Sequence, residues 1–213
     1  MSNVVRLRRL DAPYKGDCAD TFSVSKAKTI GRVLGLLRAI PHLVCHALGK
    51  MVLGPVRAFS SSSESIARVP GLLGIYTRQA FYKRTLAQVG SDVHFGFLAL
   101  FSKQQAKLGD RVYIGRGCTI GWAEMDDDVM LADGVQVLSG RHQHGSEAGE
   151  GKTLHENEQT FSKVTIGRGA WIGAGAIVMA DVGEGAIVGA GAVVVKPVAA
   201  GAKVGGVPAK ALA

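Results

Sequence analysis

The sequence predicts a mainly β protein, a parallel β-helix of hexapeptide repeats preceded by an N-terminal helical region. Three observations predict it: a six-residue period running through the second half, a composition rich in glycine and poor in aromatics, and helical periodicity confined to the first part.

From Val89 the chain divides into sixes: VGSDVH, FGFLAL, FSKQQA, an extra Lys107, LGDRVY, IGRGCT, the short IGWAE, MDDDVM, LADGVQ and VLSGRH. It resumes as IGRGAW, IGAGAI, a short VMAD, VGEGAI, VGAGAV and VVKPVA. The first position is almost always Ile, Val, Leu or Phe, the fifth is usually small, and glycine recurs at the second and fourth. An aliphatic first residue and a small fifth residue pointing inward, with a corner between, make one side of a triangular coil. Glycine suits corners that need a positive φ. Three sides close a coil of about eighteen residues, and stacked coils pair their strands about 4.8 Å apart. Each coil buries its interior only against its neighbours, so several are required.

Composition agrees. Of 213 residues 47% are hydrophobic but only 6% aromatic, and 29 are glycine, so small and aliphatic side chains must fill the interior. Three cysteines (Cys18, Cys45, Cys118) without a CxxC pair point to a reducing, cytoplasmic setting rather than a disulfide framework. The first residues carry acids before any apolar run, which argues against a signal peptide.

The net charge of +8 is unevenly placed. Residues 1–87 hold 14 Lys and Arg against 4 Asp and Glu, whereas residues 88–213 hold 11 against 13. Basic residues interleaved with stacking aromatics are absent, so no nucleic-acid partner is expected. An anionic membrane surface suits the basic N-terminal region better.

In that region, residues 30–52 have helical periodicity. Arg32, Arg38, His42, His46 and Lys50 share one arc, and Ile30, Val33, Leu34, Leu37, Ile40, Val44, Leu48 and Met51 fill the opposite side. Such a helix lies at a membrane interface or packs on the end of the β-helix to shield a sheet edge; packing is slightly favoured. Residues 1–25 are expected to be poorly ordered, and 26–88 to be helical with a serine-rich linker at 60–65. A second short helix is expected around Ile75, Phe81 and Tyr82, carrying Arg78, Lys83 and Arg84. The β-helix is expected over 89–210.

Within 166–210 the elements WIGA, IVGAGAVV and GVPAK follow in order. They resemble the C-terminal half of the hexapeptide-repeat acyltransferases, closest to the sugar and polysaccharide O-acetyltransferases. Residues 70–86, PGLLGIYTRQAFYKRTL, resemble the segment preceding the repeats in such enzymes. The resemblance implies a left-handed coil, a homotrimer with active sites between subunits, and acetyl-CoA as cosubstrate with no metal.

The repeat breaks once, at 143–163, in a polar excursion just after VLSGRH. Long excursions from a solenoid commonly carry function. Acetyl transfer to an alcohol needs a base near neutral pH and stabilisation of a tetrahedral oxyanion. The resemblance makes His142 that base; His144, two residues on and aimed to the same side along a strand-like path, is the runner-up and a candidate acceptor contact. It also assigns coenzyme A to Gly173, Ala174, Ala190, Val195, Lys196 and Lys210, and the acceptor to the region of Trp122 and Glu124. Val195 stands where the family often has threonine, which removes one hydroxyl. An acid from the run Asp126, Asp127, Asp128 is an alternative partner for the base or acceptor.

The function expected is O-acetylation of a sugar hydroxyl in polysaccharide, capsule or lipopolysaccharide synthesis. Sugar N-acetylation is the alternative within the same chemistry. A zinc-dependent β-helix resembling carbonic anhydrases would need three converging histidines, for which His142, His144 and His155 suffice only in number. A non-catalytic scaffold would bind no coenzyme A.

Overall fold

The computed structural model describes residues 21–141, 143 and 160–212, with side chains from residue 28 onward. Three helices come first, α1 (Thr21–Leu53), α2 (Pro55–Ala67) and α3 (Gly71–Thr85). The first coil then contains β1 (Gln88–Val89), β2 (His94–Phe95) and β3 (Leu100–Phe101). The second has β4 (Lys107–Leu108), β5 (Tyr113–Ile114) and β6 (Thr119–Ile120); the third has β7 (Ala123–Met125), β8 (Met130–Leu131) and β9 (Gln136–Val137). After the excursion come β10 (Val164–Ile166), β11 (Trp171–Ile172) and β12 (Ile177–Val178). The fifth coil pairs through Val182 and continues as β13 (Ile187–Val188) and β14 (Val193–Val194). The chain ends in β15 (Lys203–Gly205) and an antiparallel β16 (Lys210–Ala211).

The strands form three sheets in register. Sheet A is β1-β4-β7-β10, sheet B is β2-β5-β8-β11-β13-β15-β16, and sheet C is β3-β6-β9-β12-β14. Register pairs place first-position residues directly above one another, as in Phe95, Ile114, Leu131, Ile172 and Val188, all buried. The small fifth-position residues Val112, Cys118, Val129, Val135, Ala170 and Ala176 are fully buried beside them. The extra residue of the second coil is absorbed before Ala106, which takes the inner small position while Gln105 stays exposed.

The two recurring glycines have different causes. Fourth-position residues take a positive φ, as at Gly117 (66°), Gly175 (67°) and Gly191 (66°). Non-glycine residues accept the same conformation at Asp92, Leu98, Arg111 and Asp128 in the first three coils. At the second position the constraint is space: a Cβ on Gly115 would lie 2.6 Å from the Ala132 carbonyl carbon in the next coil.

The lower end of the first coil is closed by α2 and α3. Arg78, fully buried, donates from Nε to the Phe95 carbonyl (3.0 Å) and from Nη1 to the Val69 carbonyl (2.5 Å). Gln79 donates to the Val93 carbonyl, and Tyr82 Oη to the Ala99 carbonyl (3.1 Å). Ser63 Oγ accepts from the Phe101 N–H (3.0 Å) and bonds Tyr82 Oη (2.9 Å). The serine run at 60–65 is therefore not a linker but part of α2. Phe59, Ser63 and Ile66 form its buried stripe, with one serine hydroxyl serving as an edge cap. The expected second helix is α3. Residues 21–25, expected to be poorly ordered, belong to α1, which runs on through Pro41 and ends before Gly54-Pro55; residues 1–20 lie outside the described residues.

The packing of α1 uses its polar arc rather than its apolar side. Its small and polar face meets the cap: Gly31 and Gly35 lie against Tyr76, and Gly49 against Ala58. His46 bonds Ser62 (3.2 Å) between the rings of Phe59 and Phe81, and His42 bonds Ser65 (3.3 Å). The opposite, apolar face is exposed, with Val33 at 54%, Ile40 at 46% and Met51 at 84%.

Replacing Arg78 with Met should cost about 3 kcal/mol or more in urea unfolding, because buried carbonyls lose their donor. Burial holds His42, His46 and His94 below their ordinary value of 6.5, assisted by Arg38, Lys50 and Arg78 respectively. All three are neutral in the fold while the unfolded chain takes up protons near pH 6.5, so stability is lost as pH falls through that value. Thermal unfolding should shift down between about pH 7 and pH 5, and a His42→Gln, His46→Gln, His94→Gln variant should flatten the dependence.

Candidate active site

The coils turn three corners, and two of them gather the residues singled out in the sequence. Between sheets C and A the column rises through Lys103, Gly121-Trp122, Ser139-Gly140-Arg141, Asp181 and Val195-Lys196. Between sheets B and C it rises through Gly173-Ala174 and Gly189-Ala190 to the level of Gly205, whose partner in β16 is Lys210. The upper part of sheet C, β12 and β14, is thus bracketed by Gly173, Ala174 and Ala190 on one side and by Val195 and Lys196 on the other.

The excursion leaves and re-enters at the first of these corners. His142, His144 and His155 lie outside the described residues, but its roots are placed. Gly140 turns with φ 88°, where a Cβ would collide with Ser162 Oγ. The Ser162 N–H donates to the Ser139 carbonyl (3.0 Å), and the Thr160 N–H to the Gln143 carbonyl (3.1 Å). Arg141 crosses the fourth coil and donates to the Val195 carbonyl in the fifth (3.3 Å). Phe161 reaches down to the first coil, where Lys103 Nζ sits 3.3 Å from its ring centre, a cation–π contact. Both roots are therefore braced along the solenoid axis.

Trp122 and Glu124 flank the returning strand. The Trp122 N–H donates to Ser139 Oγ (2.8 Å), and its carbonyl accepts from Val164 (3.0 Å). Glu124 faces outward from β7 and accepts from Lys163 Nζ at 2.6 Å. That hydrogen bond holds its carboxyl below the usual range, so Glu124 is ionised and already partnered. The neighbouring acids are corner residues: Asp127 caps the Asp110 N–H (2.8 Å), and Asp128 forms a two-point ion pair with Arg111.

Asp127 belongs to a pattern that the hexapeptide reading missed. In the lower coils a third-position side chain accepts from the third-position N–H of the coil below. Asp110 serves Ser91 (2.6 Å), Asp133 serves Arg116 (2.7 Å) and Ser139 serves Trp122. At the sheet B to C corner of the upper coils, the third positions are Ala174 and Ala190, which carry no such acceptor. Among the described residues nothing accepts from their N–H groups, and both residues are exposed. Ala174 also borders a cavity of about 340 Å³ with Trp171, Met130, Tyr113 and Asp133. Trp171 points outward from sheet B. Arg141 and Lys163 were the other omissions; their nearness to His142 and to the end of the excursion was the available signal.

Open backbone donors on a narrow corner suit the amide carbonyls of an extended pantetheine arm, and the exposed Lys196 and Lys210 suit phosphates. The residues thus fit coenzyme A. No group of three or more His, Cys, Asp or Glu suited to a metal occurs among the described residues.

No family model matches the chain. Serine acetyltransferase of Bacillus pumilus (strain SAFR-032) is 32% identical over 141 residues, which is 59% of this chain and 63% of that relative. The chain therefore spans less than two-thirds of the length of that curated relative. The crystal structure of a maltose O-acetyltransferase from Clostridium difficile 630 superposes with a TM-score of 0.65 at 20% identity, covering 76% of this chain and 87% of that one. A galactoside acetyltransferase in complex with coenzyme A superposes at 0.61 and 20% identity, covering 74% and 81%. A solenoid wound with the opposite hand could not superpose over such lengths. The chain is thus a left-handed hexapeptide-repeat β-helix with an N-terminal helical region, sharing the fold of the maltose and galactoside acetyltransferases and similar in sequence to a serine acetyltransferase.

Proposed function

We propose that the protein is an acetyl-CoA-dependent O-acetyltransferase acting on a sugar hydroxyl in polysaccharide, capsule or lipopolysaccharide synthesis, with His142 as general base. The observation that carries this reading is the bracing of the excursion. Arg141, the residue before His142, is bonded to the Val195 carbonyl, beside the corner assigned to coenzyme A.

In the proposed reaction His142 accepts the proton of the acceptor hydroxyl as its oxygen attacks the acetyl carbonyl of the thioester. The tetrahedral intermediate collapses with cleavage of the carbon–sulfur bond. The acetyl ester and free thiol leave, the thiolate taking the proton back. Ala174 and Ala190 hold the pantetheine amides through their N–H groups, while Lys196 and Lys210 neutralise phosphates. The ion-paired Glu124 and half-buried Trp122, both beside the returning strand, line the acceptor side. The first residues of that strand are thereby tied to the acceptor pocket.

A homotrimer with sites between subunits belongs to the same proposal. Its support is the outward face of sheet B, where Tyr113, Met130 and Trp171 form an exposed apolar stripe in register. The outward face of sheet A carries Lys107, Glu124 and Thr165 instead.

The acceptor has a second reading, the hydroxyl of serine, which the serine acetyltransferase relative favours. Thiol release measured with nucleotide sugars, lipid-linked oligosaccharides and free serine separates the two: turnover on serine alone sinks the sugar assignment. His142→Ala should lower turnover by at least about 100-fold while leaving coenzyme A affinity and thermal stability nearly unchanged. Retained turnover would remove His142 as the base, and stoichiometric zinc in the purified protein would favour the metal-dependent alternative. Lys210→Ala with Lys196→Ala should weaken coenzyme A about tenfold or more by calorimetry, through loss of charge-assisted contacts.

A further inference from the structure

The helix α1 is held by its polar face. Arg32 pairs with Asp92 on the first coil (2.5 Å), His42 and His46 bond serines of α2, and Gly35 lies against the backbone of Tyr76. These contacts fix its rotation, since rolling α1 to bury its apolar side would break them and press large side chains onto a surface shaped for glycine. Val33, Leu37, Ile40, Val44, Leu48 and Met51 consequently form a continuous exposed stripe, each between 46% and 84% exposed. At about 1.5 Å per residue the stripe is roughly 27 Å long.

The charge around this stripe selects its partner. Between Asp20 and Glu64 the chain has six Lys and Arg and no acid. Arg38 borders the stripe, and Lys28, Lys50 and Arg57, near the helix ends, are also exposed. A second copy of α1 laid against the first would bring these cations together without a counter-charge. The phosphates of an anionic bilayer supply that charge while the acyl boundary takes the apolar side chains. By length and composition alone, Lys28–Leu53 is apolar enough to cross a bilayer. Spanning would, however, tear Arg32 from Asp92 and carry His42, His46 and Arg38 into hydrocarbon.

We infer that the outward face of α1 is a docking surface for an anionic lipid bilayer, with the helix lying in the membrane plane while its polar face stays on the cap of the β-helix. The docking is independent of the reaction proposed for the repeats.

The test is flotation of the full-length protein with phosphatidylcholine vesicles, with and without phosphatidylglycerol. The protein should float with the anionic vesicles, bind the neutral ones at least about tenfold more weakly, and be released by high salt or alkaline carbonate. A variant with Val33→Gln, Leu37→Gln, Val44→Gln and Leu48→Gln should lose about 100-fold or more in partitioning with an unchanged melting temperature, because these side chains are exposed. A milder pair, Arg38→Gln with Lys50→Gln, should abolish the preference for anionic lipid. Equal flotation of wild type and the four-site variant overturns the assignment. So does absence of vesicle binding by a wild-type protein whose larger assembly the four-site variant splits, since the occupant is then a second copy. Resistance of the bound protein to carbonate overturns the in-plane orientation.

Discussion

A parallel solenoid leaves one row of backbone groups unpaired on the outer edge of its first coil, and every later coil stacks in register from the opposite edge of that coil. Here the row is satisfied by side chains from helices. The guanidinium of Arg78 serves Phe95 and ties in Val69 of the α2–α3 connection, Tyr82 serves Ala99, Gln79 serves Val93, and Ser63 receives Phe101. Because these groups are buried, leaving one unpaired costs far more than forming it gains. The cap thus fixes both the position of the first coil and the rotation of the helices below it. It also explains why one face of α1 had to be small: the helix approaches Tyr76 closely enough to exclude any side chain at Gly31 and Gly35.

The repeat itself was readable because its physics is local. A large aliphatic and a small residue alternate toward one interior, and the register of the sheets follows. What the period could not reveal was why glycine recurs, since one glycine answers a positive φ and the other a close approach of the next coil; only neighbouring coordinates separate these causes. The serines of α2 were unreadable for a related reason. Their composition is that of a flexible linker, yet Ser63 occupies a position where an edge N–H demands an acceptor, and Phe59 and Ile66 supply the burial. For α1 the two faces were legible in the periodicity, and which of them packs was not. Amphipathic patterning says that two faces differ, and which face meets the protein depends on the shape of the surface offered to it.

At the site, the corners that gather Gly173, Ala174, Ala190, Val195 and Lys196 were accessible through resemblance and register. The capping rule was not, because it links residues about seventeen apart through a single hydrogen bond. It explains the acidic run at Asp126–Asp128 as architecture, and it marks Ala174 and Ala190 as corners where the cap has been omitted. Arg141 and Lys163 escaped notice because long basic side chains declare their partners only in three dimensions.

The placement of the cap before the repeats has a consequence for biosynthesis. A chain emerging from the ribosome exposes α1, α2 and α3 before any repeat, so the surface that receives β1, β2 and β3 is complete when those strands appear. Each later coil then meets a finished edge within one turn of its own synthesis, and no strand waits for a distant partner. The excursion is the single delay in that sequence. Its return at Val164 finds β7 already in place, so an insertion of this length leaves the register of the growing solenoid undisturbed.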